Sequence, residues 1–213
     1  LKIAVSHDLD QGDRRTRILD AAEACFVRNG FHRTTMQDVA AEAGMSAGNL
    51  YRYFSSKDAM VQGLTERDRR ELAEDFSAFE GGGDFMATFA KLGRKHFEED
   101  SRDRSVLCLQ IWAEATRNAE FGRIAAEFEQ DVTGRLTRLL EGARDAGQIA
   151  PSANPRAIAT LICTLANGLF VRRAIVPDFD PAREIPPVMN LIGALVSGAV
   201  SLTPEAACPE LVS

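Results

Sequence analysis

Residues 36–55, MQDVAAEAGMSAGNLYRYFS, constrain the fold more than any other stretch of the chain. Two short helices that pack through a tight turn need a small residue where their backbones touch, because a larger side chain would push them apart. They need Gly where the turn enters the left-handed region, and apolar residues on both inner faces. Counting Met36 as the first position, Ala40 falls fifth and Gly44 ninth, while Val39, Ala43, Met45, Leu50 and Tyr53 fill the fourth, eighth, tenth, fifteenth and eighteenth. Thr35, with Asp38 three residues on, has the form of a capping box opening the first helix. Ser46 caps the second. This is the spacing of a helix-turn-helix. A plain helical hairpin, with Gly44 only as its C-cap, would not need the small residue four before the Gly together with the cap two after it.

In a helix-turn-helix the second helix enters the major groove and its first residues reach base edges. Here those residues are Ala47, Gly48 and Asn49, with Tyr51 and Arg52 one turn on. Asn49 suits a bidentate pairing with adenine, Arg52 a guanine or a phosphate, and Ala47 the thymine methyl. Thr35 and Met36 open one flanking helix and Lys57 another, where backbone N–H groups and the helix dipole favour a phosphate. With Ser46 these residues make the candidate DNA-binding set. Tyr51 is expected to point outward and Tyr53 inward.

The rest of the chain also reads as helical, with no sustained period-two alternation and no Asp-Gly; its two Asn-Gly pairs, at 29–30 and 167–168, are not flanked by alternating apolar runs. The fold class is therefore all-α: an N-terminal three-helix helix-turn-helix domain followed by a C-terminal helical domain for ligand binding and dimerisation. Helix 1 is expected from about Arg14 to Asn29, stopped by Gly30, and helix 4 from Ser55 or Ser56 to about Phe79, before Gly81-Gly82-Gly83. Further helices are expected near 84–100, 103–117, 119–146, 154–176 and 184–202, the last three punctuated by prolines. The resulting domains are a loose tail over 1–13, a DNA-binding domain over 14–60, a sensing and dimerisation domain over 61–203, and a second tail over 204–213.

The segments RILDAA (17–22), FVRNGF (26–31), TTMQDVAAEAGMS (34–46) and GNLYRYFSSKDAM (48–60) resemble the tetracycline-repressor (TetR) family of bacterial transcriptional regulators. The resemblance runs through the family's first four helices nearly without a gap. It implies that the third helix reads DNA and that Tyr51 and Lys57 contact phosphates. Many members carry Lys where this chain has Ala47, which removes one phosphate contact. The resemblance also implies a homodimer, usually a repressor, whose C-terminal domain binds a small molecule and lets go of DNA.

Charge fits this reading. Residues 14–60 hold seven basic and five acidic residues, whereas 61–213 hold 17 basic and 23 acidic. A mildly basic head on an acidic body suits a duplex reader whose body is kept off the polyanion. In the C-terminal half, Phe89, His96, Phe97, Ile111, Trp112 and Phe128 are candidate pocket residues; solid core is the competing reading for each. Trp112 and His96 carry polar groups that a ligand could satisfy. The helices expected over 154–176 and 184–202 are apolar around most of their circumference, which demands a second partner. A four-helix interface between two copies supplies one, with Leu161, Leu165, Leu169, Leu195 and Ala199 as candidate interface residues.

Other classes find little support. G-x-G-x-x-G, G-x-x-x-x-G-K-[ST] and H-E-x-x-H are missing, and G-x-S-x-G occurs only as Gly44–Gly48 in the turn of the helix-turn-helix, with no strand before it, so an enzyme is not expected. Glu98-Glu99-Asp100 reads as solvated charge at a helix end. The four cysteines are scattered and the three histidines far apart, so neither a metal nor another cofactor is expected. No apolar run reaches the ~18 residues of a membrane span, and residues 1–13 do not read as a secretory signal. The expected setting is the cytoplasm, and the expected partners are double-stranded DNA, a small-molecule effector and a second copy of the chain. A helix-turn-helix used only for protein contacts is the remaining rival.

Overall fold

The computed structural model describes residues 2–77, 84–99, 101–200 and 202, and among them every regular element is helical. α1 (Lys2–Asn29) starts earlier than expected. Residues 2–13, read from sequence as a loose tail, continue the helix. No proline lies before residue 29, and one interior Gly, Gly12, weakens a helix by only about 1 kcal/mol. The hydroxyl of Thr16 donates to the carbonyl of Gly12 at 3.1 Å, so the ladder is braced at that point. Gly30 ends α1 in the left-handed region, at φ 83°.

α2 (Met36–Glu42), α3 (Ala47–Leu50) and α4 (Lys57–Ser77) follow. α3 is a single turn, but Phe54 still donates to the Leu50 carbonyl at 3.1 Å, so helix-like turns continue to that residue. Phe79 and the three-glycine break lie outside the described residues. Next come α5 (Phe85–Arg94), a π-helical turn (Lys95–Glu99), α6 (Arg102–Ala115), α7 (Ala119–Asp145), α8 (Pro155–Ile175) and α9 (Pro181–Val196). The π turn replaces the last turn of the single helix expected over 84–100. α9 begins three residues before its expected start because Asp180 caps it through the N–H of Ala182 and Pro181 fits its first position. It ends at Val196 because Gly198 takes φ 76°. The tail expected over 204–213 is outside the described residues.

The chain divides into two compact units, and the division differs from the expected boundary at residue 60. The first unit comprises Leu1–Glu74 with Ser101–Phe128, the second Asp75–Asp100 with Glu129–Ser213. The helix-turn-helix thus does not close its core alone. Ile18, Ala22, Cys25 and Phe26 of α1 meet Val39 and Ala40 of α2, Leu50 of α3, and Met60, Val61 and Leu64 of α4, and the same cluster takes in Leu107 of α6 and Phe121 of α7. Gly63 lets α4 come close: a Cβ there would stand 3.0 Å from both Leu19 Cδ2 and Phe54 Cε1.

The second unit is built on α8 and α9. Asn154 caps α8 through the N–H of Ala157, and Pro155 follows at the first helical position. Ile158, Ala159, Ile162, Cys163 and Leu169 of α8 are buried, as are Ile185, Ile192, Leu195 and Val196 of α9. This corrects two interface assignments. Leu169 and Leu195, at 6% and 2% exposure, belong to the unit's own core. Leu161 and Leu165 are half-buried and Ala199, past the end of α9, is exposed. The outward stripe of α8 is instead Thr160, Thr164, Gly168, Arg172 and Ile175, the last 64% exposed. α8 has the length and mean hydropathy, 1.4, of a membrane-crossing helix. A helix whose one face fills a protein core passes the same test.

Candidate nucleic-acid interface

The recognition segment separates into residues that hold it and residues that face solvent. Gly44, at φ 67°, makes the turn. Ser46 caps α3, its hydroxyl accepting from the N–H of Asn49 at 3.3 Å. Leu50 and Phe54 are buried, and Ala47, Met45 and Tyr53 pack against the core. Ser46, Gly48, Tyr51 and Arg52 are exposed, and Asn49 is half-buried. Tyr51 is 51% exposed, one of the few large apolar side chains left so. The tyrosines thus take the orientations expected, Tyr51 outward and Tyr53 against the core.

The start of α2 is equally well defined. Thr35 accepts from the N–H of Asp38 at 3.2 Å, and its own N–H donates to the Asp38 carboxylate at 2.8 Å. This is the capping box read from sequence. Donation from the Thr35 backbone, and then from its hydroxyl, holds the Asp38 carboxyl below its ordinary value. Met36 departs from expectation. Its side chain is part of the core, so this position offers a phosphate only its backbone N–H. Arg33, exposed at the approach to α2, carries charge that the motif spacing did not single out.

Lys57 departs further. Its ammonium donates to the Phe31 carbonyl at 2.6 Å, lies 3.4 Å from the His32 carbonyl, and sits 4.5 Å over the Phe31 ring. Burial lowers its pKa below the usual lysine value. Three contacts on the same turn are supplied from elsewhere in the first unit. The Phe31 N–H donates to Gln110 Oε1 at 3.1 Å, His32 Nε2 lies 2.8 Å from Glu114 Oε2, and Phe121 packs edge-on to Phe31 at 5.1 Å. Gln110 and Glu114 lie more than 75 residues from the turn and carry no local signal; only the folded chain brings them there.

The six candidate pocket residues are drawn from both units. Phe89, His96 and Phe97 belong to the second unit, and Ile111, Trp112 and Phe128 to the first. In the second unit Phe89 is buried and stacks on Phe85, and Phe97 lies 5.4 Å from Phe170. His96, in the π turn, has Nε2 3.0 Å from the carboxylate of Asp75. Among the described residues no group of His, Cys, Asp and Glu has metal-binding geometry.

Residues 18–64 match the family model for bacterial regulatory proteins of the tetR family, and residues 94–197 match the C-terminal model of the BetI-type transcriptional repressor. The HTH-type transcriptional regulator UidR of Escherichia coli K12 is 30% identical over 174 residues, covering 80% of this chain and 85% of its own. The chain belongs to the TetR family. TtgR of Pseudomonas putida, another HTH-type regulator, is 26% identical over 78% of the chain and 82% of its own. The fold of this TetR-family protein is shared by Salmonella enterica GusR, with a TM-score of 0.73 and 22% identity over 86% of this chain and 95% of that one. It is shared too by the Bacillus subtilis regulator FadR in complex with stearoyl-CoA, with a TM-score of 0.71 and 20% identity over 86% and 98%. As a TetR-family member the chain is a DNA-binding transcription regulator and not an enzyme. The family's phosphate-contacting lysine is matched here by Lys57, whose ammonium is engaged within the protein itself.

Proposed function

We propose that the chain is a homodimeric repressor that binds a near-palindromic operator through α3 and releases it when a small apolar or amphipathic molecule binds. The observation that carries the DNA-reading half is the exposed edge of α3 beside a firmly packed opposite edge. Asn49 reads a base, Arg52 a base or a phosphate, and Tyr51 a phosphate; Thr35, Met36 and Ser46 lend helix-terminal groups. Two-fold symmetry in the protein imposes two-fold symmetry on the operator. An operator on the bacterial chromosome places the protein in the cytoplasm, and no membrane role is needed for α8 when a second copy covers its outer stripe.

Operator affinity should fall steeply with salt, because Lys and Arg displace condensed counterions. Asn49→Ala should relax the preference at one base pair by about 1–3 kcal/mol. Sequencing the duplexes that wild-type and variant proteins enrich from a randomised pool checks this. An unchanged preferred sequence removes Asn49 from the base-reading role.

The effector half draws support from the family and from the apolar side chains of the second unit, Phe89 and Phe97, with His96 beside them; Ile111, Trp112 and Phe128 remain candidates in the first unit. FadR of Bacillus subtilis, similar in fold, binds stearoyl-CoA. An effector acts only by its difference in affinity for the two states, and linkage requires operator DNA to weaken its binding by the same factor. Titrating stearoyl-CoA, and then a panel of amphipathic compounds, against Trp112 fluorescence with and without saturating operator tests the coupling. A compound that binds equally well under both conditions is not an inducer of this protein.

A further inference from the structure

Resting on the reading of this chain as a duplex-binding regulator, we propose that Gln110 and Glu114 of α6 and Lys57 of α4 clamp the turn at 30–33 and are positioning residues for operator recognition. Lys57 acts through that turn and not by meeting a phosphate. The turn leaves α1 at Gly30 and delivers the chain to Thr35, the cap of α2. Its far end is fixed from inside: the buried hydroxyl of Thr34 donates to the Gly30 carbonyl at 2.9 Å, with the Cys25 carbonyl 3.1 Å away. Whatever fixes residues 30–33 therefore fixes where α2 begins, and α3 packs on α2.

Phe31 is held by its donor, its acceptor and its ring. The N–H goes to Gln110, the carbonyl takes Lys57, and the ring sits among Phe26, His32 and Phe121 with the Lys57 ammonium over it. His32 is exposed, yet its ring reaches Glu114, which is buried and also accepts from Arg117 Nε at 3.0 Å. Four helices thus converge on two residues of a segment without a helical hydrogen-bond ladder of its own. To reach a phosphate, the Lys57 ammonium would have to leave two carbonyls and an aromatic face. The clamp consists of backbone and side-chain hydrogen bonds aimed at a turn, whereas a phosphate ligand would project into solvent as Arg52 does.

The two roles differ in their dependence on salt. Wild-type protein is first allowed to enrich a duplex from a randomised pool, which tests DNA binding on its own. Affinity for that duplex and for a scrambled one is then measured over a range of KCl for Gln110→Met, Glu114→Gln, Arg117→Gln and Lys57→Gln, with circular dichroism melts in the same buffers. Gln110→Met and Glu114→Gln should each weaken the enriched duplex by about tenfold, the scale of one lost buried hydrogen bond, and the scrambled duplex by less than about twofold. Arg117→Gln, at an exposed site that leaves the core intact, should weaken the enriched duplex about threefold by loosening Glu114. Lys57→Gln should weaken it with no change in the slope of log K against log salt. A slope smaller by about one would make Lys57 a phosphate contact and overturn its place in the clamp. Wild-type affinity in the Gln110, Glu114 and Arg117 variants, or equal loss on both duplexes, would overturn the clamp itself.

Discussion

Phe121→Ala should lower the free energy of unfolding by about 3–5 kcal/mol, the range for deleting a fully buried aromatic ring. Phe121 is 1% exposed and lies in the same cluster as Ile18, Phe26, Leu50 and Leu64. Truncating it forfeits the transfer energy of the ring and leaves a cavity against Phe31, whose edge-on contact at 5.1 Å is lost with it. For a chain of this length the loss should lower the melting midpoint by about 10 °C. The residue comes from α7, outside the helix-turn-helix segment, so a large effect shows that residues 101–128 belong to the recognition unit's core. Phe128→Ala, two turns further along α7 and half-buried outside that cluster, should cost much less. Urea melts of both variants decide the matter. Equal, small effects would mean that the helix-turn-helix folds without Phe121.

Gly168→Glu should convert the protein to monomers without unfolding it, while Leu195→Asp should unfold it. Gly168 lies on the exposed stripe of α8, and an added Cβ meets nothing within 4 Å. A side chain there even favours the helix by about 0.5–1 kcal/mol, since glycine is a poor helix former. In a two-fold interface the same position faces its own neighbourhood in the second copy, so the charge is introduced twice at a desolvated contact. Leu195 is buried among residues of its own unit, and an aspartate there is an unpaired charge in the core whatever the oligomeric state. Sedimentation velocity at micromolar concentration with circular dichroism separates the two outcomes. If Gly168→Glu sediments as the wild type does, the copies meet through another surface.

The helix-turn-helix was legible because every constraint on it is local. Cap, small residue, left-handed Gly and inner apolar positions all lie within 20 residues, and each leaves its mark on a residue type. The inner faces of α8 and α9 were not legible for the opposite reason. A helix apolar around most of its circumference carries no periodicity to say which side its own chain covers, so Leu169 and Leu195 could not be told from Leu161 and Leu165. The extent of the recognition unit was hidden because Leu107 and Phe121 reach it from more than 40 residues away. The contacts of Lys57 were not legible because position at a helix start predicts where an ammonium is useful, not which carbonyls a distant turn will place beside it. The π turn at Lys95–Glu99 left no mark in the apolar spacing, which fits an α-helix just as well.

The division of labour along α3 bears on how such a regulator changes its targets. Ala47, Leu50, Tyr53 and Phe54 hold the segment, while Gly48, Tyr51 and Arg52 face outward. Substitutions at exposed positions usually shift stability by no more than about 0.5 kcal/mol. Mutation can therefore explore new outward residues in copy after copy of the gene, after duplication, with folding left as it was. Selection then acts on which promoter is bound and not on whether the protein survives, so lineages with this scaffold can part company in their operators long before their cores diverge.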